Sequence, residues 1–217
     1  MKTTIIDYNA GNLFSIKNAV DSLQMNPAIS NDQKVILSSD CVILPGVGSF
    51  KDSMNFIKSN KLDLVIKEYI SLGKPFIGIC LGMQLLFSKS EEFGISSGLG
   101  ILKGKIKLLP GHIDDIPTKV PNIGWNEIEY INHSDKDKSI EFNGIPNKSY
   151  MYFVHSYYCD PEDDIIVANT NFHGFNYTAA IKSKNIFATQ FHPEKSGKIG
   201  IELLRNVKQM ILNKEIL

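Results

Sequence analysis

Two kinds of hydrophobic pattern alternate along the first half of the chain. Thr3–Tyr8 (TTIIDY), Cys41–Leu44 (CVIL) and Pro75–Cys80 (PFIGIC) are short, nearly continuous apolar runs, the pattern of strands buried on both faces. Between them the apolar positions widen to helical spacing. Leu13, Ile16, Val20 and Leu23 share one helix face, and helical periodicity returns from about Phe50 to Leu72. Leu81–Phe87 (LGMQLLF), directly after the third run, reads as another helix start. Strands alternating with helices of this length predict crossover connections and a parallel sheet.

The second half changes rhythm. Strand patterns at Lys105–Leu109, Glu127–Ile131, Tyr150–Val154, Ile165–Thr170, Tyr177–Ile181 and Ile186–Phe191 follow closely, with turns such as Asn143-Gly144 and His173-Gly174 between them. A last helix carries Gly200, Leu203, Leu204, Val207 and Ile211 on one face. The predicted architecture is α/β: an open, mostly parallel sheet flanked by helices, with antiparallel additions from the second half. There is no break in composition, repeat or low-complexity tract, so residues 1–217 read as a single domain.

Charge narrows the function. Lys and Arg together number 23, as do Asp and Glu, so the net charge is zero and the basic excess expected of a nucleic-acid or acidic-membrane binder is missing. The opening residues MKTTIIDYNAGN do not follow a secretory-signal pattern, and no apolar run reaches the roughly 18–20 residues of a membrane span. A soluble, cytoplasmic protein is expected. Its three cysteines, Cys41, Cys80 and Cys159, form no C-x-x-C pair; neither a disulfide framework nor a metal site is expected, and no cofactor.

Cys80 differs from the other two in its surroundings. Gly78-Ile79-Cys80-Leu81-Gly82 lies where a strand runs into a helix, and small residues two positions either side are what a nucleophile on a sharp, crowded turn requires. The helix N-terminus favours a thiolate there. The plainer alternative is a buried structural cysteine. Gln190-Phe191-His192-Pro193-Glu194 offers a base: Pro193 holds His192 extended, so residues 192 and 194 point the same way and the carboxylate reaches the ring. A carboxylate on one imidazole nitrogen leaves the other to take a thiol proton. Both segments end strands, so a parallel sheet brings them to one edge. For the negative oxygen of a tetrahedral intermediate, the donors would be the N–H of Leu81 and a peptide of the turn Pro45-Gly46-Val47-Gly48. That turn equally serves as a plain strand-to-helix turn that needs glycine. His112 and His133 sit in polar, turn-rich segments and His173 in a turn, while His155 ends a strand and shapes the pocket.

Taken together, Asp7-Tyr8-Asn9-Ala10-Gly11-Asn12, Leu44–Gly48, Gly78–Phe87, Pro121–Asn126, Tyr152–Tyr157 and Gln190–Ser196 make the chain resemble, over essentially its whole length, the triad-type class I glutamine amidotransferases. Within them it is most similar to the glutaminase subunits of imidazole glycerol phosphate synthases of histidine biosynthesis. The resemblance implies a Cys80–His192–Glu194 triad that releases ammonia from glutamine through a glutamyl thioester. It implies an oxyanion hole at Val47, Gly48 and Leu81, and a glutamine site formed by Gln84 and Glu92 with the segment His155, Ser156 and Tyr157. It further implies a heterodimer with a (β/α)8 cyclase subunit, which uses the ammonia to make imidazole glycerol phosphate and an aminoimidazole carboxamide ribotide. In that family the oxyanion turn reorients when the partner's site is filled, so the lone glutaminase is nearly silent. Asn12, Trp125 and Lys195 match positions facing the cyclase. Asn9-Ala10 and Asn122-Ile123 depart from the commonest choices in their motifs. Ser90-Glu91-Glu92-Phe93-Gly94 is also similar to a paralogous branch that supplies ammonia for amidation of a surface-polysaccharide sugar. Two readings from other classes stand beside this one: a cysteine hydrolase or peptidase, and a regulatory scaffold without activity.

Overall fold

Each apolar run of the first half becomes a strand whose side chains divide between two cores. The computed structural model describes residues 1–9, 11–131 and 140–214; the readings placed on Ala10 and His133 lie outside the described residues. The chain runs β1 (Thr3–Ile6), α1 (Leu13–Ser22), β2 (Pro27–Ser30), α2 (Gln33–Leu37), β3 (Cys41–Leu44), α3 (Phe50–Ser59), α4 (Leu62–Ser71), β4 (Phe76–Ile79) and α5 (Leu81–Leu85). Ile5, Ile43 and Ile77 point to one face, where α1 contributes Ile16 and Val20. Ile6, Val42, Leu44 and Phe76 point to the other, against Met54, Ile57, Val65 and Ile66 of α3 and α4. Strands covered on both faces keep no polar side, which is why they read as unbroken apolar runs.

The second half supplies β5 (Phe87–Ser90), β6 (Ser96–Ser97), β7 (Leu102–Leu108), β8 (His112–Ile113), β9 (Ile116–Pro117), β10 (Asn122–Tyr130), β11 (Tyr150–His155), β12 (Tyr157–Pro161), β13 (Ile166–Phe172), β14 (Phe175–Ser183), β15 (Ile186–Thr189) and α6 (Gly197–Asn213). Among the described residues one sheet has nine strands in the order β11-β10-β13-β14-β15-β4-β3-β1-β2. From β15 to β2 every pairing is parallel, and from β15 to β11 every pairing is antiparallel. The sheet is therefore mixed, a parallel core of five strands extended by four. Strands β12-β7-β5-β6 form a smaller sheet, and β8-β9 a short hairpin. The final helix packs Leu203, Leu204, Val207 and Met210 into the core shared with α1.

Several expected elements differ in extent. The helix read over 50–72 breaks at Asn60 and Lys61, where Asn60 donates from its side chain to the Phe56 carbonyl and Lys61 takes a left-handed φ of 57°. The helix after Cys80 stops at Leu85, because Phe87 already belongs to β5. Strand β12 has no counterpart in the sequence pattern; it is an edge strand ending in Pro161, a position where proline removes no ladder bond that the sheet needs.

Candidate active site

The carboxyl ends of β3, β4 and β15 meet at one rim of the parallel core. Ile79 of β4 pairs in register with Thr189 of β15, so the residues leaving those strands, Cys80 and Gln190, start side by side. The Cys80 N–H donates to the Thr189 carbonyl at 2.7 Å. Cys80 then turns with φ 53° and ψ −111°, a conformation costly for a residue with a Cβ, before α5 begins at Leu81. Its neighbours must be glycine for reasons of space. A Cβ on Gly82 would collide with the Leu44 carbonyl oxygen, and one on Gly46 would stand 2.5 Å from the Leu81 Cβ. The turn after β3 is thereby pressed against the elbow, and the Tyr8 hydroxyl fixes it from below by donating to the Pro45 carbonyl. Gly48, in the same turn, has φ 119°, which disfavours any other residue.

His192 is pinned through its backbone. Its N–H donates to the Tyr152 carbonyl at 2.9 Å, and its carbonyl accepts from Ser196 Oγ at 2.7 Å. The ring is buried, with Nδ1 2.8 Å from Glu194 Oε1. Nε2 is buried and closes no hydrogen bond inside the protein. Burial pulls His192 down. The negative charge that an ionised Cys80 would carry nearby opposes this, together with the bond to and charge of Glu194, and the balance lies upward, at about 10. Glu194 Oε1 also accepts from Asn12 Nδ2 at 2.5 Å.

Val47, Gly48, Cys80, Leu81, Gln84, Glu92, His155, Ser156 and Tyr157 all line a single cleft of about 280 Å³, completed by Pro121 and Val154. That size suits one amino acid rather than a peptide chain. A larger depression of about 390 Å³ runs past Glu127, Tyr130, Lys148 and Asn169, but it contains neither nucleophile nor base, so the chemistry belongs to the smaller cleft. Gln84 donates to the Tyr157 carbonyl at 2.8 Å. The same carbonyl lies 2.9 Å from His155 Nδ1; a carbonyl only accepts, so Nδ1 carries the proton and Nε2 accepts from the Tyr177 hydroxyl at 2.9 Å. Burial lowers His155 to about 4, against a raising bond to Tyr157, and the ring stays neutral and structural. Glu92 Oε2 accepts from the Phe50 N–H at the start of α3; burial raises its carboxyl, and the Phe50 bond partly offsets this.

The other two cysteines are fully buried and their thiols are pushed up by burial. His112 and His173 lie exposed on the surface, away from the cleft. Among the described residues no group of three or more His, Cys, Asp and Glu side chains is arranged to hold a metal ion, and no helix is long and apolar enough to cross a membrane. Of the three residues read as facing a partner, Trp125 is 53% exposed on β10 and Lys195 is exposed beside Glu194. Asn12 is half-buried and turns its amide to the Glu194 carboxylate. Sequence reasoning missed that contact and those of the Gln190 side chain, which bonds Gln84 and lies 3.6 Å from Cys80 Sγ. Both residues stand in motifs it had singled out, but only the fold shows what their amides touch.

Residues 4–209 match the family described as glutamine amidotransferase class-I. The chain is 43% identical to the imidazole glycerol phosphate synthase subunit HisH of Aquifex aeolicus, over 96% of this chain and 97% of that one. It is 42% identical to the HisH 1 subunit of Methanococcus maripaludis, over 95% and 98%. Among solved structures, its fold is similar to that of PurLQS from Thermotoga maritima, with a TM-score of 0.69 and 21% identity over 99% of this chain and 98% of that one. A parallel core bearing a cysteine elbow, a buried histidine–glutamate pair at the same rim and relatives alike from end to end lead to one conclusion: the chain belongs to the class I glutamine amidotransferase family, on the branch of the HisH subunits of imidazole glycerol phosphate synthase.

Proposed function

We propose that this chain is the glutaminase subunit of an imidazole glycerol phosphate synthase and hydrolyses glutamine to glutamate and ammonia through Cys80, His192 and Glu194. The observation that carries this is the strained Cys80 elbow lining an amino-acid-sized cleft, with a buried histidine paired with Glu194 at the same rim. The Cys80 thiolate attacks the side-chain amide carbon of glutamine. Negative charge moves to the amide oxygen, where the N–H of Leu81, a free first-turn donor of α5, and the Val47–Gly48 peptide stabilise it. His192 passes its proton to the amide nitrogen, the C–N bond breaks and ammonia leaves. Water, deprotonated by His192, then cleaves the glutamyl thioester and restores the thiolate. Gln84, Glu92 and the backbone of His155–Tyr157 hold the amino-acid end of glutamine, with Glu92 placed for its ammonium group.

Ammonia passes to a separate (β/α)8 cyclase subunit. The family branch supports the histidine-pathway acceptor over the sugar-amidating alternative. The partner docks over the rim where Trp125 and Lys195 are exposed, and the protein works in the cytoplasm. In the assembled synthase, Cys80→Ala is expected to abolish glutamine-dependent synthesis while leaving synthesis from added ammonium salt intact. Loss of both would mean that Cys80 serves folding or docking instead of chemistry.

A further inference from the structure

Gln190 is wholly buried, yet its side chain is not part of the apolar core. Its Nε2 lies 3.6 Å from Cys80 Sγ, within hydrogen-bonding distance for sulfur, and its Oε1 accepts from Gln84 Nε2 at 3.0 Å. The chain of bonds fixes which end of each amide faces which way. The Tyr157 carbonyl only accepts, so the atom of Gln84 that approaches it at 2.8 Å is the NH2 group. The second hydrogen of that NH2 goes to Gln190, which must present its oxygen. Its own NH2 is therefore aimed at the sulfur.

Register explains why this residue and no other is in place. Thr189 and Ile79 are paired across two parallel strands, so residue 190 leaves its strand beside residue 80, and the Gln190 N–H is anchored to the Ala179 carbonyl at 2.8 Å. We infer that the side-chain amide of Gln190 is a catalytic hydrogen-bond donor to the Cys80 sulfur, held in orientation by Gln84 and the Tyr157 carbonyl. Gln190 and His192 leave the same strand, β15, two residues apart. The bond strengthens when sulfur is an anion and weakens when sulfur carries a glutamyl group, so it favours the attacking species. The relay also ties the nucleophile to the Tyr157 segment, the wall proposed to hold the amino-acid end of glutamine. The inference rests on Cys80 being the nucleophile.

The other titratable groups around the sulfur do not take over this task. Tyr8, Tyr177 and Cys159 are pushed up by burial and stay neutral, and His155 is neutral through the working range. Glu92 also lines the cleft but is bound to the Phe50 N–H, which leaves His192, paired with Glu194, and Gln190 as the supports of the sulfur.

Alkylation of the full chain by iodoacetamide, followed by peptide mass spectrometry across a range of pH, tests this. In the native sequence Cys80 should react far faster than the buried Cys41 and Cys159; equal reactivity would remove the nucleophile reading itself. In Gln190→Met, similar in size but without a donor, the midpoint of Cys80 alkylation should rise by about one pH unit, with roughly tenfold slower reaction near neutrality and convergence at high pH. A folded Gln190→Met protein with the native profile would overturn the inference. If that variant does not fold, Gln84→Met, which frees the Gln190 amide to turn, should move the midpoint in the same direction, and an unmoved midpoint there would overturn it equally.

Discussion

Asn12 and Glu194, 182 residues apart, are joined by a 2.5 Å hydrogen bond from a side-chain amide to the carboxylate that orients His192. Asn12 occupies the N-cap position of α1 with φ 72°, yet its side chain does not cap that helix. Asparagine is among the preferred capping residues, so the amide has been committed to the triad at some expense to the helix. The segment that the family resemblance places against the cyclase is thus two hydrogen bonds from the His192 ring, the proposed base. Replacing Asn12 by Ala is expected to lower kcat for glutamine hydrolysis roughly tenfold with little change in KM, because Glu194 loses a charged hydrogen bond while the glutamine site is untouched. Asn12→Asp should be worse, since it sets a second carboxylate against Glu194. Unchanged kcat in both would show that the bond plays no part in positioning the base.

The His192 ring loses its proton on the alkaline side, at about 10, because the Cys80 thiolate and Glu194 hold it charged against the pull of burial. The sign follows directly: a base raised above its ordinary value stays protonated through neutrality, and the proton needed by the leaving ammonia is lost only as pH rises through the shifted value. In a pH profile of kcat/KM the alkaline limb should therefore fall late. In Glu194→Gln the same limb should appear at lower pH, because the charge of Glu194 no longer supports the imidazolium. A limb at the same pH in both proteins would mean that Glu194 does not tune this ring.

Trp125 stands on the same face of β10 as Ile123, both more than half exposed, and its ring meets Tyr152 edge-on at 5.9 Å. An exposed tryptophan beside an isoleucine, one strand from the Val154 carbonyl that approaches Cys80 Sγ at 3.9 Å, is a fitting anchor for a partner seated over the cleft. Trp125→Ala is expected to weaken assembly with the cyclase by roughly tenfold or more in a titration calorimetry experiment, and to leave the melting temperature of the lone chain nearly unchanged. Native affinity in the variant would move the docking surface elsewhere.

What the sequence disclosed follows from the range of its signals. The Cys80 elbow and the pairing of His192 with Glu194 are local signals. The extended run expected from 192 to 194 is corrected, however: only His192 is extended, and Pro193–Lys195 form a 3-10 turn that swings the Glu194 carboxylate back to the ring. The parallel core is legible because strands buried on both faces cannot hide their apolar runs. Strand β2 went unread because Pro27–Ser30 is short and only half-buried, and β5 because Phe87 continues an apolar run that begins in α5. The extent of the antiparallel half depends on which hairpins add to the sheet, a tertiary choice. The amides of Gln190 and Asn12 were invisible for another reason: a glutamine or asparagine carries donor and acceptor alike, and only its neighbours decide which one is used.

The central claim is that the sulfur of Cys80 is the atom that attacks glutamine. It is tested most directly by exposing the chain, assembled with its cyclase, to a glutamine analogue bearing an electrophilic diazo ketone in place of the amide, then locating the adduct by peptide mass spectrometry. A single adduct on Cys80, slowed by excess glutamine and accompanied by loss of ammonia release, is the predicted result. Label on Cys41, Cys159 or another residue, with Cys80 unmodified and activity lost, would contradict it.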